Sequence, residues 1–238
     1  MKFTFGIVTI TGNESNLQTV LDSISSQYGY EDHDDLYEVI VVGGNQAYKE
    51  DNYTVIPFDE TKKKRWITRK KNIITENARF SNIVYMHDYV ALGKDWFRNF
   101  EEIHRGVAPI MMTPIINADG TRYRDWTLWP HDLDDIWGKD TRECLLPYDV
   151  DNLMQYMYIS GAYWIAWKSV MEKFPLNEEL GWGESEDVEW SKRVRQKYKF
   201  TMNKHSPVHL LKQKDRVFGE ITPEKLNLVQ HQLWTPTF

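Results

Sequence analysis

The sequence has one cysteine, no long apolar run and no excess of basic residues, and each of these absences excludes a class of protein. A single thiol, Cys144, cannot build a disulfide framework or a cysteine zinc site, and it fits a reducing compartment. The apolar start FTFGIVTI is too short for a secretory signal or a membrane span, and no later stretch is long enough to span. We therefore expect a cytoplasmic protein without a transmembrane segment, either soluble or peripheral at a membrane.

The charge balance excludes a general nucleic-acid binder. The chain has 29 lysines and arginines against 35 aspartates and glutamates, which gives a net charge of −6 and an isoelectric point near 5.7. Contacts to nucleic-acid phosphates need an excess of lysine and arginine. One local exception is TKKKRWITRKK at 61–71, where seven of eleven residues are basic. We interpret Lys62, Lys63 and Lys64 as a solvated face or as a loop that closes over phosphate.

Strand and helix patterns alternate along the first half of the chain. Four runs rich in β-branched and aromatic residues predict strands, and apolar residues at helical spacing lie between and after them. The predicted strands are FTFGIVTI (3–10), YEVIVV (37–42), YTVIPF (53–58) and IVYM (83–86). The predicted helices include 66–79 and a later helix that carries Trp96, Phe97, Phe100 and Ile103. This alternation predicts an α/β fold with a mainly parallel sheet flanked by helices.

Three segments directly follow predicted strands. They are residues 11–14, the run Gly43-Gly44-Asn45 and the run His87-Asp88-Tyr89. Ligands of open parallel sheets bind outside the carboxyl ends of the strands, so these segments are candidate binding loops. Thr11 and Glu14 would equally well cap the first helix.

The second half of the chain has a different character. Residues 117–152 are rich in turn formers, acids and tryptophan, which predicts a long excursion from regular βα units. Connections of that length are usually functional or mobile. A predicted strand, YISGAYWIAW (158–167), then leads through a short helix to the segment GWGESEDVEW (181–190).

The segment GWGESEDVEW places acidic residues at the start of a helix. Ser185 is the predicted N-cap, and Glu186 and Asp187 lie in the first turn, where the helix dipole favours negative charge. Both acids extend the predicted core-facing stripe of Trp190, Val194 and Tyr198, whereas Glu189 and Arg193 form a surface ion pair. A carboxylate partly buried there would have a raised pKa and could serve as a general base.

Four segments of the sequence resemble segments of GT-A fold glycosyltransferases, and they occur in the same order as in that family. GWGESEDVEW resembles the Trp-Gly-x-x-Glu-Asp segment of family 2 and of the related β-galactosyl and N-acetylgalactosaminyl transferases. VTITGNE (8–14) and YEVIVVGGN (37–45) resemble the first two strands of the family. ITRKKNIITENARFSNIVYMHDYV (67–90) resembles its Arg-Asn helix and DxD metal motif. The resemblance runs from about residue 3 to about 211 and leaves out 117–152.

The resemblance implies a single GT-A domain over 1–238, with a twisted, mainly parallel sheet and an excursion on the acceptor side. Residues 1–105 would bind the nucleotide, and 106–238 would bind the acceptor and supply catalysis. The implied reaction is inverting transfer of a hexose or N-acetylhexosamine from a nucleoside-diphosphate sugar to a hydroxyl of a glycan or glycolipid. UDP is the usual nucleotide of the family.

The resemblance also implies a role for particular residues. Asp187 would be the general base, with Glu186 beside it. The acceptor would be held by Trp182, Gly183 and Glu184, with Trp126, Trp129 and Trp137 as further stacking candidates. The donor would be held by Thr11, Glu14, Gly43, Gly44, Asn45, Arg69, Lys71, Asn72, His87 and Asp88, with Lys70 as a further source of positive charge.

The sequence departs from the family at two places that matter for donor binding. Gly43 and Gly44 stand where the family usually has acids, so Asn45 or backbone groups would hold the nucleotide base and ribose. The DxD motif reads His87-Asp88-Tyr89, which has one carboxylate where two are usual. A Mn²⁺ or Mg²⁺ ion would then be held by Asp88 and His209, with His205 the weaker choice, and would stabilise the leaving diphosphate.

Two other functions fit parts of the pattern. A sugar-nucleotide pyrophosphorylase shares the parallel-sheet fold, but no glycine-rich signature with a following lysine occurs near residue 10. A noncatalytic carbohydrate-binding protein would explain the tryptophans, yet such modules are mostly antiparallel β. That interpretation would also leave the paired acids Glu186 and Asp187 unexplained. Separately, these two could be ordinary first-turn acids of a helix.

Overall fold

The computed structural model describes residues 1–10, 13–27, 36–44, 47–50, 52–104, 106–138, 142–215 and 218–234. Thr11 and Asn45, both predicted to contact the donor, lie outside these ranges. The strands are β1 (Phe3–Val8), β2 (Tyr37–Val42), β3 (Tyr48–Glu50), β4 (Tyr53–Ile56), β5 (Asn82–His87), β6 (Val90–Leu92), β7 (Ile110–Met112), β8 (Ile115–Ile116), β9 (Thr127–Leu128), β10 (Glu143–Leu145), β11 (Met157–Tyr158), β12 (Tyr163–Trp167), β13 (Thr201–Met202), β14 (Val208–Leu210) and β15 (Gly219–Glu220).

The helices of the described ranges are mostly short. The α-helices are α1 (Glu14–Ser25), α2 (Ile67–Asn77), α3 (Trp96–Asn99), α4 (Asp134–Trp137), α5 (Lys168–Lys173), α6 (Glu186–Val194) and α7 (Pro223–Trp234). A π-helix, Phe100–His104, continues α3, and 3₁₀ turns lie at Pro130–Asp132 and Met154–Tyr156.

The main sheet of the described chain has eight strands in the order β13-β7-β12-β5-β1-β2-β4-β3. Strands β5, β1, β2 and β4 run parallel to one another, whereas β12 is antiparallel to β5 and β3 is antiparallel to β4. The predicted mainly parallel sheet flanked by helices is confirmed. The carboxyl ends of β1, β2 and β5 therefore lie side by side, with the amino end of β12 next to them.

Both faces of β1 are covered, which explains why this strand is a continuous apolar run. On one face, Phe3 packs edge-on against Trp96 and Phe100, with ring centroids 5.2 and 5.7 Å apart. On the other face lies α2, and a Cβ on Gly6 would come within 2.3 Å of the Ile74 side chain. Gly6 therefore sets how closely α2 approaches the sheet, and α2 carries Lys70 and Lys71 to the strand ends.

Two smaller sheets come mainly from the second half of the chain. One has the order β11-β9-β10-β15 and includes strands of the 117–152 excursion; the other has the order β6-β14-β8. Strand β14 pairs antiparallel with β6, and the Leu211 N–H donates to the Tyr89 carbonyl at 2.9 Å. The chain that follows β14 is thereby brought beside the His87-Asp88-Tyr89 run.

Some predicted elements differ from the structure. The predicted strand at 158–167 is two strands, β11 and β12, which belong to different sheets and are separated by residues 159–162. The predicted helix with Trp96 becomes π-helical after Asn99. Ser185 precedes α6 as predicted, but it has a left-handed backbone (φ 59°) and its side chain forms no cap hydrogen bond.

In the described ranges, the helices are all too short or too polar to cross a bilayer.

Candidate active site

Asp88 is fixed at the point where β1 and β5 end. Its N–H donates to the Val8 carbonyl at 3.2 Å. Its Oδ2 accepts hydrogen bonds from the Thr9 hydroxyl at 2.7 Å and from the Asn13 amide at 2.9 Å. Asp88 is buried, and these bonds tie its carboxylate to the loop that begins α1. The predicted binding edge of the sheet thus has a well-anchored acidic group.

A cavity of about 580 Å³ opens at this edge, and we call it the large cavity. Thr9, Asn13 and Asp88 form its floor. Its walls carry more basic than acidic side chains, with only Glu60 added to Asp88 on the acidic side. The basic residues that line it are Lys64, Arg65, Lys70, Lys212 and Lys214. This charge suits an anionic ligand.

A second cavity of about 200 Å³ adjoins the first, and we call it the small cavity. It is lined by both predicted catalytic acids, Glu186 and Asp187, and by an aromatic group comprising Tyr89, Tyr123, Trp129, Tyr158 and Trp182. The two cavities share His87, Tyr89, Trp182 and Lys214 as a common wall. A ligand that extends from the large cavity past this wall into the small cavity would therefore reach Glu186 and Asp187.

Asp187 is oriented by main-chain donors. Its Oδ2 accepts from the Gly161 N–H at 2.8 Å, and its Oδ1 accepts from the Val188 N–H at 2.9 Å. A Cβ on Gly161 would lie 3.1 Å from a carboxylate oxygen of Asp187 and 3.1 Å from one of Glu186. The absence of a side chain at Gly161 therefore lets both acids approach the start of β12.

Burial and charge set the protonation of the neighbouring groups. Burial, reinforced by the Asp187 charge, raises the pKa of Glu186, and the Lys71 ammonium opposes this shift. Lys71 is itself buried, donates to the Gly161 carbonyl at 2.7 Å, and lies 4.4 Å from the Trp164 ring centroid. Burial lowers the pKa of Lys71 to about 8, although the charges of Glu186 and Asp187 act in the opposite direction.

His87 is held as a neutral imidazole in the wall between the cavities. Its ring stacks on Tyr89 with centroids 5.1 Å apart. Burial lowers the pKa of His87 well below its usual value, and the nearby ammonium groups, Lys71 and Lys214 foremost, lower it further. At neutral pH this residue provides a flat, uncharged surface rather than a cation.

Lys70 and Arg65 frame the large cavity from the α2 side. The Lys70 ammonium donates to the Thr9 carbonyl at 2.7 Å and pairs with Glu60. Arg65 has a left-handed backbone (φ 58°), and its guanidinium lies 4.6 Å from the ring centroid of Trp182. Trp182 is 47% exposed, so this stacked pair forms an accessible rim that joins the 61–66 loop to the GWGESEDVEW segment.

Several predicted site residues lie away from both cavities. Arg69 forms ion pairs with Glu76 and Glu178, and the Asn72 amide donates to the Leu176 carbonyl and to Glu178. These contacts join α2 to the segment after α5. The two side chains therefore point away from the strand ends. Neither Arg69 nor Asn72 lines the large or the small cavity, so neither lies where the predicted donor would bind.

Three further residues that were predicted to contact the donor, Gly43, Gly44 and Glu14, line neither cavity. Gly43 (φ 140°) fits against β1, since a Cβ there would lie 2.2 Å from the Thr9 carbonyl oxygen, and the Gly44 carbonyl accepts from Phe58 N–H. Glu14 is the first residue of α1, next to Asn13, which does line the large cavity.

Some of the residues predicted to hold the acceptor line the small cavity, and the others do not. Trp182 and Gly183 line the small cavity, whereas the Glu184 carboxylate turns back to accept from the Gly181 N–H at 2.6 Å. Of the tryptophans in the excursion, Trp129 lines the small cavity. Trp126 is core, with its indole N–H bonded to the Val150 carbonyl at 2.7 Å. Trp137 lies on α4 and lines neither cavity.

The residues at the strand ends do not fit the expected divalent cation. His209 is exposed on β14 beside Gly93 and lines neither cavity, so it does not join Asp88. In the described ranges, no three side chains of His, Cys, Asp or Glu converge on a common point where an ion could bind. The other charged groups that line the large cavity are mainly basic, and their positive charge disfavours a cation there.

Sequence reasoning missed four residues that line one or both cavities, namely Arg65, Gly161, Lys212 and Lys214. Arg65 falls in the basic run, but its left-handed backbone gives no signal in the sequence. Lys212 and Lys214 follow β14, and their position depends on the pairing of β14 with β6, which is remote in sequence. Gly161 was detectable, because a glycine within an otherwise apolar strand pattern often marks a break or a close approach.

No protein-family model matches the sequence, and no curated protein is significantly similar to it. Similar solved structures include crystal structures of S. aureus TarS. The fragment 1–349 has a TM-score of 0.58 and 13% identity, over 98% of this chain and 64% of that chain. A second TarS structure has a TM-score of 0.60 and 12% identity, over 98% of this chain and 39% of that chain. The 1–349 fragment in complex with UDP-GlcNAc has a TM-score of 0.58 and 12% identity, over 100% of this chain and 68% of that chain.

The likeness to TarS is a likeness of fold. This chain spans 64% of the length of the first of these structures and 39% of the second. Together with the sheet order, it confirms the predicted GT-A fold.

Proposed function

We propose that this protein is an inverting glycosyltransferase that moves a hexose or N-acetylhexosamine from a UDP-sugar to a hydroxyl of a glycan or glycolipid. The observation that carries the proposal is the pair of adjoining cavities, one basic and at the ends of β1 and β5, the other lined by Asp187. Similar structures include S. aureus TarS in complex with UDP and with UDP-GlcNAc, which supports a uridine nucleotide. The relation to β-galactosyl and N-acetylgalactosaminyl transferases and the cytoplasmic location stay predictions.

The large cavity suits a nucleoside diphosphate. Its volume of about 580 Å³ is within the usual range for small-molecule sites. Its basic walls complement the charge of a diphosphate. The floor of Thr9, Asn13 and Asp88 provides hydroxyl, amide and carboxylate groups that can bond to ribose or sugar hydroxyls. A sugar attached to the diphosphate would extend through the common wall toward Asp187.

Asp187 is the proposed general base. Its two oxygens are oriented by the N–H groups of Gly161 and Val188, so the carboxylate keeps one geometry while a hydroxyl binds to it. As the acceptor oxygen attacks the anomeric carbon, Asp187 takes its proton and the diphosphate leaves from the opposite side. One displacement of this kind inverts the anomeric centre.

Glu186 and Lys71 are proposed to hold the charge of the site rather than to contact the acceptor. The Lys71 ammonium compensates the carboxylates and also fixes the Gly161 carbonyl. Trp182, Trp129 and Tyr158 form aromatic walls of the small cavity on which the apolar face of a sugar can stack. The acceptor is therefore proposed to enter between Trp182 and the 117–152 excursion.

The test is UDP release from UDP-GlcNAc and UDP-glucose, with and without a panel of sugar acceptors. The variant is Asp187→Asn, which keeps the shape of the side chain but removes the base. Glu189→Gln is the matched control, because Glu189 is on the same helix and pairs with Arg193 at 2.6 Å. We expect Asp187→Asn to lower kcat by about a hundredfold or more while UDP binding persists, and Glu189→Gln to behave like the wild type.

Two results would contradict the proposal. One is a wild-type protein that releases no UDP from any UDP-sugar, with or without added Mn²⁺. The other is an Asp187→Asn variant that retains the wild-type rate, which would return Glu186 and Asp187 to the role of first-turn helix acids.

A further inference from the structure

Lys212 and Lys214 form a pair of basic groups next to Tyr89 that the sequence analysis did not assign. We propose that these two ammonium groups bind the leaving diphosphate and stabilise its charge, in the place where the family resemblance implied a divalent cation. The inference rests on the proposed function, since it names the groups that act on the leaving group of that reaction.

The pair is held at the cavity by the fold. The Lys212 ammonium lies 3.9 Å and the Lys214 ammonium 4.6 Å from the ring centroid of Tyr89. The Lys214 main chain is clamped by the buried Asn117, whose Oδ1 accepts from Lys214 N–H at 3.0 Å and whose amide donates to the Lys214 carbonyl at 3.2 Å. This anchoring places the two lysines at the end of β5, although they are far from it in sequence.

In the described ranges, no carboxylate forms an ion pair with either ammonium group, although the charge of Asp215 partly opposes the lowering of the Lys214 pKa. Lys70, in contrast, pairs with Glu60. Burial and the charges of Lys212 and Arg124 lower the pKa of Lys214. Two cations held close together without an ion-pair partner in the described ranges favour the binding of a multivalent anion.

The location of Lys214 matches the point at which the bond to the leaving group breaks. Lys214 lines both cavities, whereas Lys212 lines the large one only. The β-phosphate of a donor whose sugar reaches Asp187 would therefore lie against Lys214, with the α-phosphate toward Lys212. Lys64 and Arg65 also line the large cavity, but neither lines the small one, and the Arg65 guanidinium is stacked on Trp182.

The step is balanced without a further reactant. The acceptor oxygen forms a bond to the anomeric carbon, and its proton passes to Asp187. The bond between that carbon and the β-phosphate oxygen breaks, and its electron pair remains on the phosphate. Lys212 and Lys214 stay protonated and offset the added negative charge of the nucleoside diphosphate.

The experiment combines binding with turnover. Calorimetry measures the binding of UDP and of uridine to the wild type, Lys212→Gln, Lys214→Gln and the control Lys204→Gln, an exposed lysine that lines neither cavity. UDP release from UDP-GlcNAc is measured for the same proteins in excess EDTA and in Mn²⁺. Thermal unfolding of each variant checks that it is folded.

The inference predicts wild-type turnover in EDTA that is close to that in Mn²⁺. Each cavity variant should bind UDP about tenfold more weakly, with uridine binding unchanged, and should lose about tenfold to a hundredfold in kcat. Turnover that EDTA abolishes and Mn²⁺ restores would overturn the inference but leave the proposed function standing. UDP binding by folded Lys212→Gln and Lys214→Gln that equals the control would also overturn it. A wild type that neither binds UDP nor releases it in either condition overturns the proposed function together with the inference.

Discussion

The Asp187 carboxylate accepts a hydrogen bond from the main-chain N–H of Gly161 at 2.8 Å. This bond joins the first turn of α6 to the segment before β12, and β12 is paired antiparallel with β5. Because Asp88 directly follows β5, the two acids on either side of the common wall are positioned by the same pair of strands. The geometry of the proposed base therefore depends on a residue that has no side chain.

Gly161→Ala should reduce turnover without unfolding the protein. The added Cβ would lie 3.1 Å from an oxygen of each of Asp187 and Glu186, which is too close for an undisturbed contact. We expect kcat to fall about tenfold or more, since a small displacement of a catalytic group is costly. Gly106→Ala is the control, because a Cβ there meets no atom within 4 Å. Equal kcat values for the two variants would argue against an oriented base.

Lys71→Met should move the acid limb of the pH–rate profile to higher pH. The Lys71 ammonium opposes the upward shift that burial and Asp187 impose on the pKa of Glu186. Removing that charge raises the pKa of Glu186 further, so Glu186 ionises at higher pH. The measurement is kcat/KM for UDP release between pH 5 and 9 in the wild type, Lys71→Met and Lys204→Met. A profile that does not move in Lys71→Met would contradict this coupling.

Lys71 should also make stability depend on pH in the alkaline range. Its pKa is about 8 in the folded protein, below the ordinary value of 10.5. Between these values the unfolded chain binds a proton that the folded protein does not, so the free energy of unfolding rises as pH increases. The slope from this one group is at most about 1.4 kcal/mol per pH unit. Urea unfolding at pH 7.5 to 10 should show this rise in the wild type and a smaller rise in Lys71→Met.

Trp182 should matter for substrate affinity more than for stability. Its ring is 47% exposed, lines both cavities and stacks with the Arg65 guanidinium at 4.6 Å. We expect Trp182→Ala to raise KM about tenfold and Trp182→Phe to raise it less, because phenylalanine keeps an aromatic platform. Trp167→Ala is the control, since Trp167 is also partly exposed but lines neither cavity. A KM that Trp182→Ala leaves unchanged would exclude Trp182 from the site.

The candidate residues that the structure places at the two cavities and that sequence could locate are those set by local pattern. Asp88 was found because it follows a buried strand, and Glu186 and Asp187 because they begin an amphipathic helix. The ion pair of Glu189 with Arg193 was found from helical spacing and is confirmed at 2.6 Å. In each case the relevant neighbours are within a few residues in the chain.

The parts that sequence could not predict are set by contacts between remote segments. Arg69 and Asn72 were assigned to the donor from the helix that carries them, but which face of α2 meets the strand ends depends on packing against the segment after α5. His209 lies two residues before Leu211, whose N–H bonds to the Tyr89 carbonyl. The residues that line the large cavity are therefore Lys212 and Lys214, and not the predicted metal ligand His209. Which residues of this segment reach the cavity is decided by strand pairing, here between β14 and β6.

The most direct test of the proposed function is calorimetric titration of the intact protein with UDP, GDP, CDP and dTDP, each with and without Mn²⁺. The basic cavity at the ends of β1 and β5 predicts that a nucleoside diphosphate binds with a dissociation constant in the micromolar range or below. The proposed UDP-sugar donor predicts that UDP binds more tightly than the other three. Failure of all four nucleotides to bind in both conditions would contradict a nucleotide-sugar site in this cavity.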